Sequence, residues 1–126
     1  GDTGHQFFWG AATTEDQCKF GGEQRRMLWL HPPTRNGTRT LRFEKVPEGQ
    51  LDFVYGLAET SQHDNIKLAL RVNGTHVPIP PIKKRDELLS YPVGLHRKEN
   101  VVAVEVTGPP SRWRHLCIDG ILQKSN

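Results

Sequence analysis

The chain has 126 residues, 35% of them hydrophobic and 25% charged, with a formal charge of +3 and a pI near 9.1. That is the length of one domain, enough to bury a core without metals or a dense disulfide network. No apolar run approaches the roughly 20 residues of a membrane-spanning helix, and the basic residues fall in short groups (Lys83-Lys84-Arg85, Arg97-Lys98, Arg112 and Arg114) rather than in the aromatic-interleaved stripe of a nucleic-acid binder.

Residues 1–12 are Gly-rich around Phe7-Phe8-Trp9 and read as an extended lead-in. With neither an initiator Met nor a signal-peptide pattern, the chain is expected to be a mature or excised fragment. Thereafter the apolar residues alternate with period two, the signature of half-buried strands. Leu41 and Phe43 alternate with Arg42 and Glu44. Leu51, Phe53, Tyr55 and Leu57 follow an expected turn at Pro47-Glu48-Gly49. Ile66, Leu68, Leu70 and Val72 alternate with Lys67, Ala69 and Arg71, and Asn73-Gly74 turns this strand into a returning partner over Thr75 to Ile79. A short helical turn is expected from Lys84 to Leu89. Val102, Val104 and Val106 form another strand, closed by Gly108-Pro109-Pro110, and Leu116 and Ile118 lie in the last. Pro32-Pro33, Asn36-Gly37, Pro78 with Pro80-Pro81, and Pro92 with Gly94 punctuate these runs. The pattern predicts a single all-β domain over residues 1–126: an antiparallel β-sandwich of jelly-roll type with about eight strands.

In order along the chain come Cys18-Lys-Phe-Gly-Gly-Glu, Met27-Leu-Trp-Leu-His-Pro-Pro, Thr40-Leu-Arg-Phe-Glu-Lys-Val-Pro-Glu-Gly, Tyr55-Gly-Leu-Ala, Leu70-Arg-Val-Asn-Gly, Val104-Glu-Val-Thr-Gly and His115-Leu-Cys-Ile-Asp. This succession resembles the galactose-binding-like, carbohydrate-binding-module type of jelly roll, over about residues 15 to 120. The resemblance implies a non-catalytic module for carbohydrate or polysaccharide, an accessory domain of a larger glycan-processing protein. It also implies a structural calcium ion near the first and last strands, held by Glu15, Asp16 and Asp119, with Asp64-Asn65 as a second candidate; no other cofactor is expected. The fold type also serves protein–protein contacts, so a protein-interaction or structural module stands as the alternative.

Sugars offer C–H faces to aromatic rings and hydroxyls to charged or amide groups. Trp29 alternates with Leu28 and Leu30 and so shares a face with Met27 and His31. Trp113 sits in a loop between Arg112 and Arg114. Arg42 and Arg71 point outward from strands, and an Arg fork suits paired hydroxyls or carboxylates. The expected ligand-binding set is therefore Trp29, His31, Arg42, Tyr55, Arg71, Arg112 and Trp113. For each the ordinary alternative is a core ring or a solvated charge.

Cys18 and Cys117 are too far apart for a CxxC motif. Two buried thiols are one reading. A disulfide is the other, favoured because the first and last strands of a jelly roll lie side by side; it implies an oxidising setting, secreted, periplasmic or cell-surface. Catalysis is not expected. Glu44, Asp52, Glu59 and Glu105 are on or near strands, but no spacing selects a glycosidase pair, and the six His show no metal-ligand spacing. Asn36-Gly-Thr and Asn73-Gly-Thr match N-glycosylation sequons and are read here as turns.

Overall fold

The computed structural model describes residues 6–7, 14–30, 37–58, 66–108 and 116–124. Every element in them is a strand: β1 (Gln6–Phe7), β2 (Thr14–Phe20), β3 (Glu23–Leu30), β4 (Gly37–Leu57), β5 (Lys67–Val72), β6 (Thr75–Val77), β7 (Leu89–Gly108) and β8 (Leu116–Lys124). All pairings are antiparallel.

The fold hangs on two long strands. β4 and β7 run beside each other from Gly37 opposite Gly108 to Tyr55 opposite Leu89. Their register slips between Phe43 and Val46, where Lys45 takes a left-handed φ of 56°, and again between Pro47 and Gly49. Such bulges bend a strand and raise its twist, so each long strand serves two layers. The first half of β4 and the second half of β7 continue into β5 and β6. The second half of β4 pairs with β8, which carries β3, β2 and β1 beyond it.

The two layers face one another across one core. Leu51, Phe53, Tyr55 and Leu57 come from one, and Leu70, Val102, Val104 and Val106 from the other, with Leu116, Ile118 and Leu122 of β8 beside them. Alternation fixes this: odd residues of β4 from 51 and even residues of β7 from 102 all point inward. The architecture is the expected β-sandwich.

Two local expectations are corrected. Pro47-Glu48-Gly49 does not separate two strands but lies within β4, and Pro92 and Gly94 lie within β7. Pro92 is tolerated because β5 pairs only with residues 102–107 of β7 and leaves that stretch an edge. The expected helical turn from Lys84 to Leu89 is a bent loop as far as Leu88, and Leu89 opens β7. Asp86 sits there at φ 61°, outside helical space. Its N–H donates to the Leu57 carbonyl at 2.8 Å, and its Oδ1 accepts from Gly21 N at 2.6 Å. This loop lies so close on β4 that a Cβ at Gly56 would strike the Glu87 carbonyl oxygen and the Phe20 ring.

A smaller apolar cluster of Cys18, Phe20, Met27, Ala58 and Cys117 packs with Val54 and Leu88. Cys18 and Cys117 form a disulfide with a sequence separation of 99, as expected, although the strands involved are β2 and β8 with β3 paired to both.

Tyr55 is a correction to the expected ligand-binding set. Its ring is fully buried, stacked on Phe53 with centroids 5.1 Å apart, and its hydroxyl donates to the Pro80 carbonyl. The alternation that makes Leu51, Phe53 and Leu57 core makes Tyr55 core as well. Burial, with Tyr91 nearby as the lesser cause, pushes its pKa up to about 12 from the usual ~10. The folded state therefore holds this proton more tightly than the unfolded chain. Stability from this source is complete below about pH 10 and is lost as the pH climbs from ~10 to ~12. Phenolate absorbance in a pH titration should show a late-ionising tyrosine that Tyr55→Phe removes.

Candidate functional site

The outer face of the second layer carries the polar site. Because Val102, Val104 and Val106 are buried, Val101, Ala103, Glu105 and Thr107 face outward. Four strands lie side by side here in the order β4-β7-β5-β6. Arg42 is opposite Ala103, Ala103 is opposite Arg71, and Arg71 is opposite His76. One step along the face, Thr40, Glu105 and Ala69 form the next row. Two inter-strand spacings put Arg42 and Arg71 about 10 Å apart at the backbone. Ala103 keeps the floor between them low.

The result is a cleft of about 430 Å³ lined by Thr40, Arg42, Arg71, Asn73, Arg97 and Glu105, with Gly74, Val101 and Ala103 completing it. Arg71 Nε lies 2.8 Å from Glu105 Oε1, and Arg42 Nε lies 3.0 Å from Glu44 Oε1. Both arginines keep substantial exposure, 42% and 62% of their side chains respectively. Each thus has further N–H donors for a ligand while one edge is held. Three guanidiniums stand against two carboxylates, Glu105 in the lining and Glu44 on Arg42, which leaves the cleft one net positive charge.

A pair of amides, Asn100 buried and Asn73 half-buried, holds this cleft in shape. Asn100 is fully buried. Its Nδ2 donates to the carbonyls of Val46 at 3.1 Å and Arg97 at 2.7 Å. Its Oδ1 accepts from Arg97 N at 3.2 Å and Asn73 Nδ2 at 2.9 Å. Asn73 in turn is tied to Val101 through its backbone N–H, 2.8 Å from the Val101 carbonyl, and through its Oδ1, 2.9 Å from Val101 N. The β5–β6 turn is thereby fastened to the bend of β7, which sets Arg97 and Arg71 on two sides of the cleft.

Of the expected ligand-binding residues, the structure brings Arg42 and Arg71 together and puts Tyr55 in the core. Trp29 is on β3 in the other layer, opposite Cys117; its side chain lies outside the described residues, as do His31, Arg112 and Trp113 entirely. Glu15 on β2 pairs with Met27 on β3, and Asp16 follows it within the bulge before Cys18, again with side chains outside the described set; Asp64-Asn65 also lie outside it. Asp119 is buried, and its Oδ1 accepts from Gly120 N at 2.8 Å. Calcium takes six to eight oxygens, and the described residues hold no cluster of three or more metal-ligating side chains.

Arg97, Asn73 and Thr40 are site residues that sequence reading did not select. Arg97 belonged to a basic pair, and Asn73 to a turn dipeptide. The one available signal was the Asn73-Gly74 turn itself, which fixes the hairpin register and hence the place of Arg71. Among the described lining, Glu105 is the one carboxylate and is tied to Arg71, whereas glycoside hydrolysis uses two. Of the other carboxylates considered, Glu44 is on Arg42, Asp52 accepts from Gln50 and Gln123, and Glu59 lies outside the described residues.

No family model matches the sequence, and no curated protein matches it. In structure the chain is similar to CBM35, a carbohydrate-binding module from Paenibacillus barcinonensis, with a TM-score of 0.52 at 14% identity over 98% of this chain and 99% of that one. The fold is a β-sandwich of carbohydrate-binding-module type. In this chain the cationic cleft lies on the face of the β4-β7-β5-β6 layer. No helix among the described residues is long and apolar enough to cross a membrane.

Proposed function

We propose that the chain is a non-catalytic carbohydrate-binding module, an accessory domain of a glycan-processing protein, that takes its ligand in the cleft between Arg42 and Arg71. The observation that carries this reading is the single row in which both arginines flank Ala103, with Asn73, Arg97 and Glu105 around it. Guanidinium forks bind vicinal hydroxyls or a carboxylate in a planar, two-pronged way, and Glu105 and Asn73 add an acceptor and an amide. The excess of positive charge favours carboxylated or sulfated glycans over neutral ones. Ligand contacts by Trp29, Trp113, His31 and Arg112 belong to the same reading. The Cys18–Cys117 disulfide supports a secreted, periplasmic or cell-surface setting.

Titration calorimetry with acidic and neutral polysaccharides tests the cleft. Arg42→Ala is expected to weaken binding about tenfold, the worth of one charge-assisted hydrogen bond of ~1.4 kcal/mol or more. Raising the salt should weaken it further, since exposed charges are screened. Unchanged affinity in Arg42→Ala, Arg71→Ala and Arg97→Ala alike would take the site away from this face.

Calcium at Glu15, Asp16 and Asp119 is part of the proposal. Thermal melts with calcium and with a chelator should differ by several degrees, and Asp119→Asn should abolish the difference. Coincident melts of the unaltered protein would remove calcium from the account.

A further inference from the structure

The β5–β6 hairpin ends early, and its ending leaves a built groove. Asn73 and Gly74 both take positive φ, 51° and 83°, the geometry of a type I′ two-residue turn. In such a hairpin Val72 and Thr75 are the closing hydrogen-bonded pair, so Leu70, and Leu68 two residues before it, turn their N–H and C=O toward the β6 side. Val77 meets Leu70, and there the pairing stops. Pro78, Pro80 and Pro81 follow, and proline has no N–H to continue a ladder. The chain peels away from β5, with the Pro80 carbonyl held by the Tyr55 hydroxyl. A groove of about 630 Å³ opens between them, lined by Ile66, Leu68, Ile79, Pro81 and Ile82, with Lys67 at its edge. On its other side β5 is fully paired to β7 through Lys67–Val72. Among the described residues, Leu68 has no strand partner on the groove side.

We infer that this groove binds an extended peptide as an added strand, one in which apolar and acidic residues alternate. An unpaired edge beside an apolar trough is the combination that strand addition uses: the ladder gives affinity, and the trough selects alternate side chains. The charge of the partner follows from the polar groups at the rim. Glu105 is occupied by Arg71, and Thr107 is hydrogen-bonded to Thr38 at 2.9 Å. Lys67 is exposed and forms no ion pair among the described residues. The same lysine disfavours a second copy of this chain. A two-fold antiparallel pairing centred on Lys67 would set two ammonium groups opposite each other, and one centred on Leu68 needs Leu70, which Val77 already holds.

The test uses the whole chain and a capped heptapeptide, Thr-Glu-Val-Glu-Val-Glu-Thr, followed by amide NMR. Shifts confined to residues 66–69 and 79–82, with the Leu68 amide slowed in solvent exchange, are expected. Lys67→Glu, an exposed change that should melt as the unaltered protein does, should weaken binding at least tenfold and transfer the preference to the peptide with Lys in place of Glu. Methylation of the two valine nitrogens, which donate to β5 in an antiparallel ladder, should abolish binding, and Arg42→Ala should leave it intact, which separates this site from the glycan cleft. Equal binding of the Glu and Lys peptides overturns the proposal. So do an unaffected Lys67→Glu variant, a dimer in sedimentation, or a Leu68 amide already protected in the free protein, which would mean that the edge is covered by other means.

Discussion

Loss of the Cys18–Cys117 disulfide is expected to cost about 4–5 kcal/mol, because the bond closes a loop of roughly 100 residues and so removes much of the freedom of the unfolded chain. Against a total stability of ~5–15 kcal/mol for a domain, that is a large share. The bond also anchors the smaller cluster of Phe20, Met27 and Ala58, which alone is too small to hold β2 and β3 on β8. Thermal melts with and without reductant should differ by ~15–20 °C for a domain of this size. Cys18→Ala, Cys117→Ala and the double variant should fall by similar amounts, since each removes the same crosslink. Such non-additivity is the mark of a shared interaction. A melt insensitive to reductant, or a mass unchanged by reduction and alkylation, would contradict this.

Asn100→Leu is expected to cost about 3 kcal/mol or more. Leucine matches the volume but strands four partners, the carbonyls of Val46 and Arg97, the Arg97 N–H and the Asn73 amide, at a fully buried position. A buried polar group left without its partner loses ~1–3 kcal/mol, with partial relief by relaxation. Asn100→Asp keeps the acceptor, removes both donations and should also destabilise. Asn73→Ala removes only part of the network and should cost less. The Asn73 and Asn100 changes combined should cost less than their sum, because they share a bond. Chemical denaturation measures all four. The functional consequence is separate: at temperatures where Asn100→Leu remains folded, glycan affinity should still fall, because Arg97 and the β5–β6 turn lose the fastening that shapes the cleft.

Period-two alternation made most of the fold legible. The inward rows of β4, β5, β7 and β8 are the very residues that alternate in the sequence, and the Asn73-Gly74 hairpin follows from its turn chemistry. What could not be read was continuity. Pro47, Gly49, Pro92 and Gly94 carry the chemistry of turns, yet they occupy bulges and an unpaired edge of two long strands, places that need no ladder N–H from proline. Lys84 to Leu89 looked helical from local spacing, but its shape is set by the distant partners Leu57 and Gly21.

The site was legible in part for a similar reason. Alternation alone puts Arg42 and Arg71 outward. Their meeting across Ala103 depends on the registers of β4 and β5 against β7, which are long-range quantities. Tyr55 was misjudged as a surface ring although its own strand pattern placed it among Leu51, Phe53 and Leu57. Asn100 carried no sequence signal, because its importance lies in four partners brought from residues 46, 73 and 97.

The most direct test of the carbohydrate-binding reading is a glycan array probed at low salt with the unaltered protein and with the folded Arg42→Ala/Arg71→Ala variant. Selective binding to acidic glycans, lost in the double variant, is the predicted result. A folded protein that binds no glycan, or a double variant that binds as the original does, would contradict it.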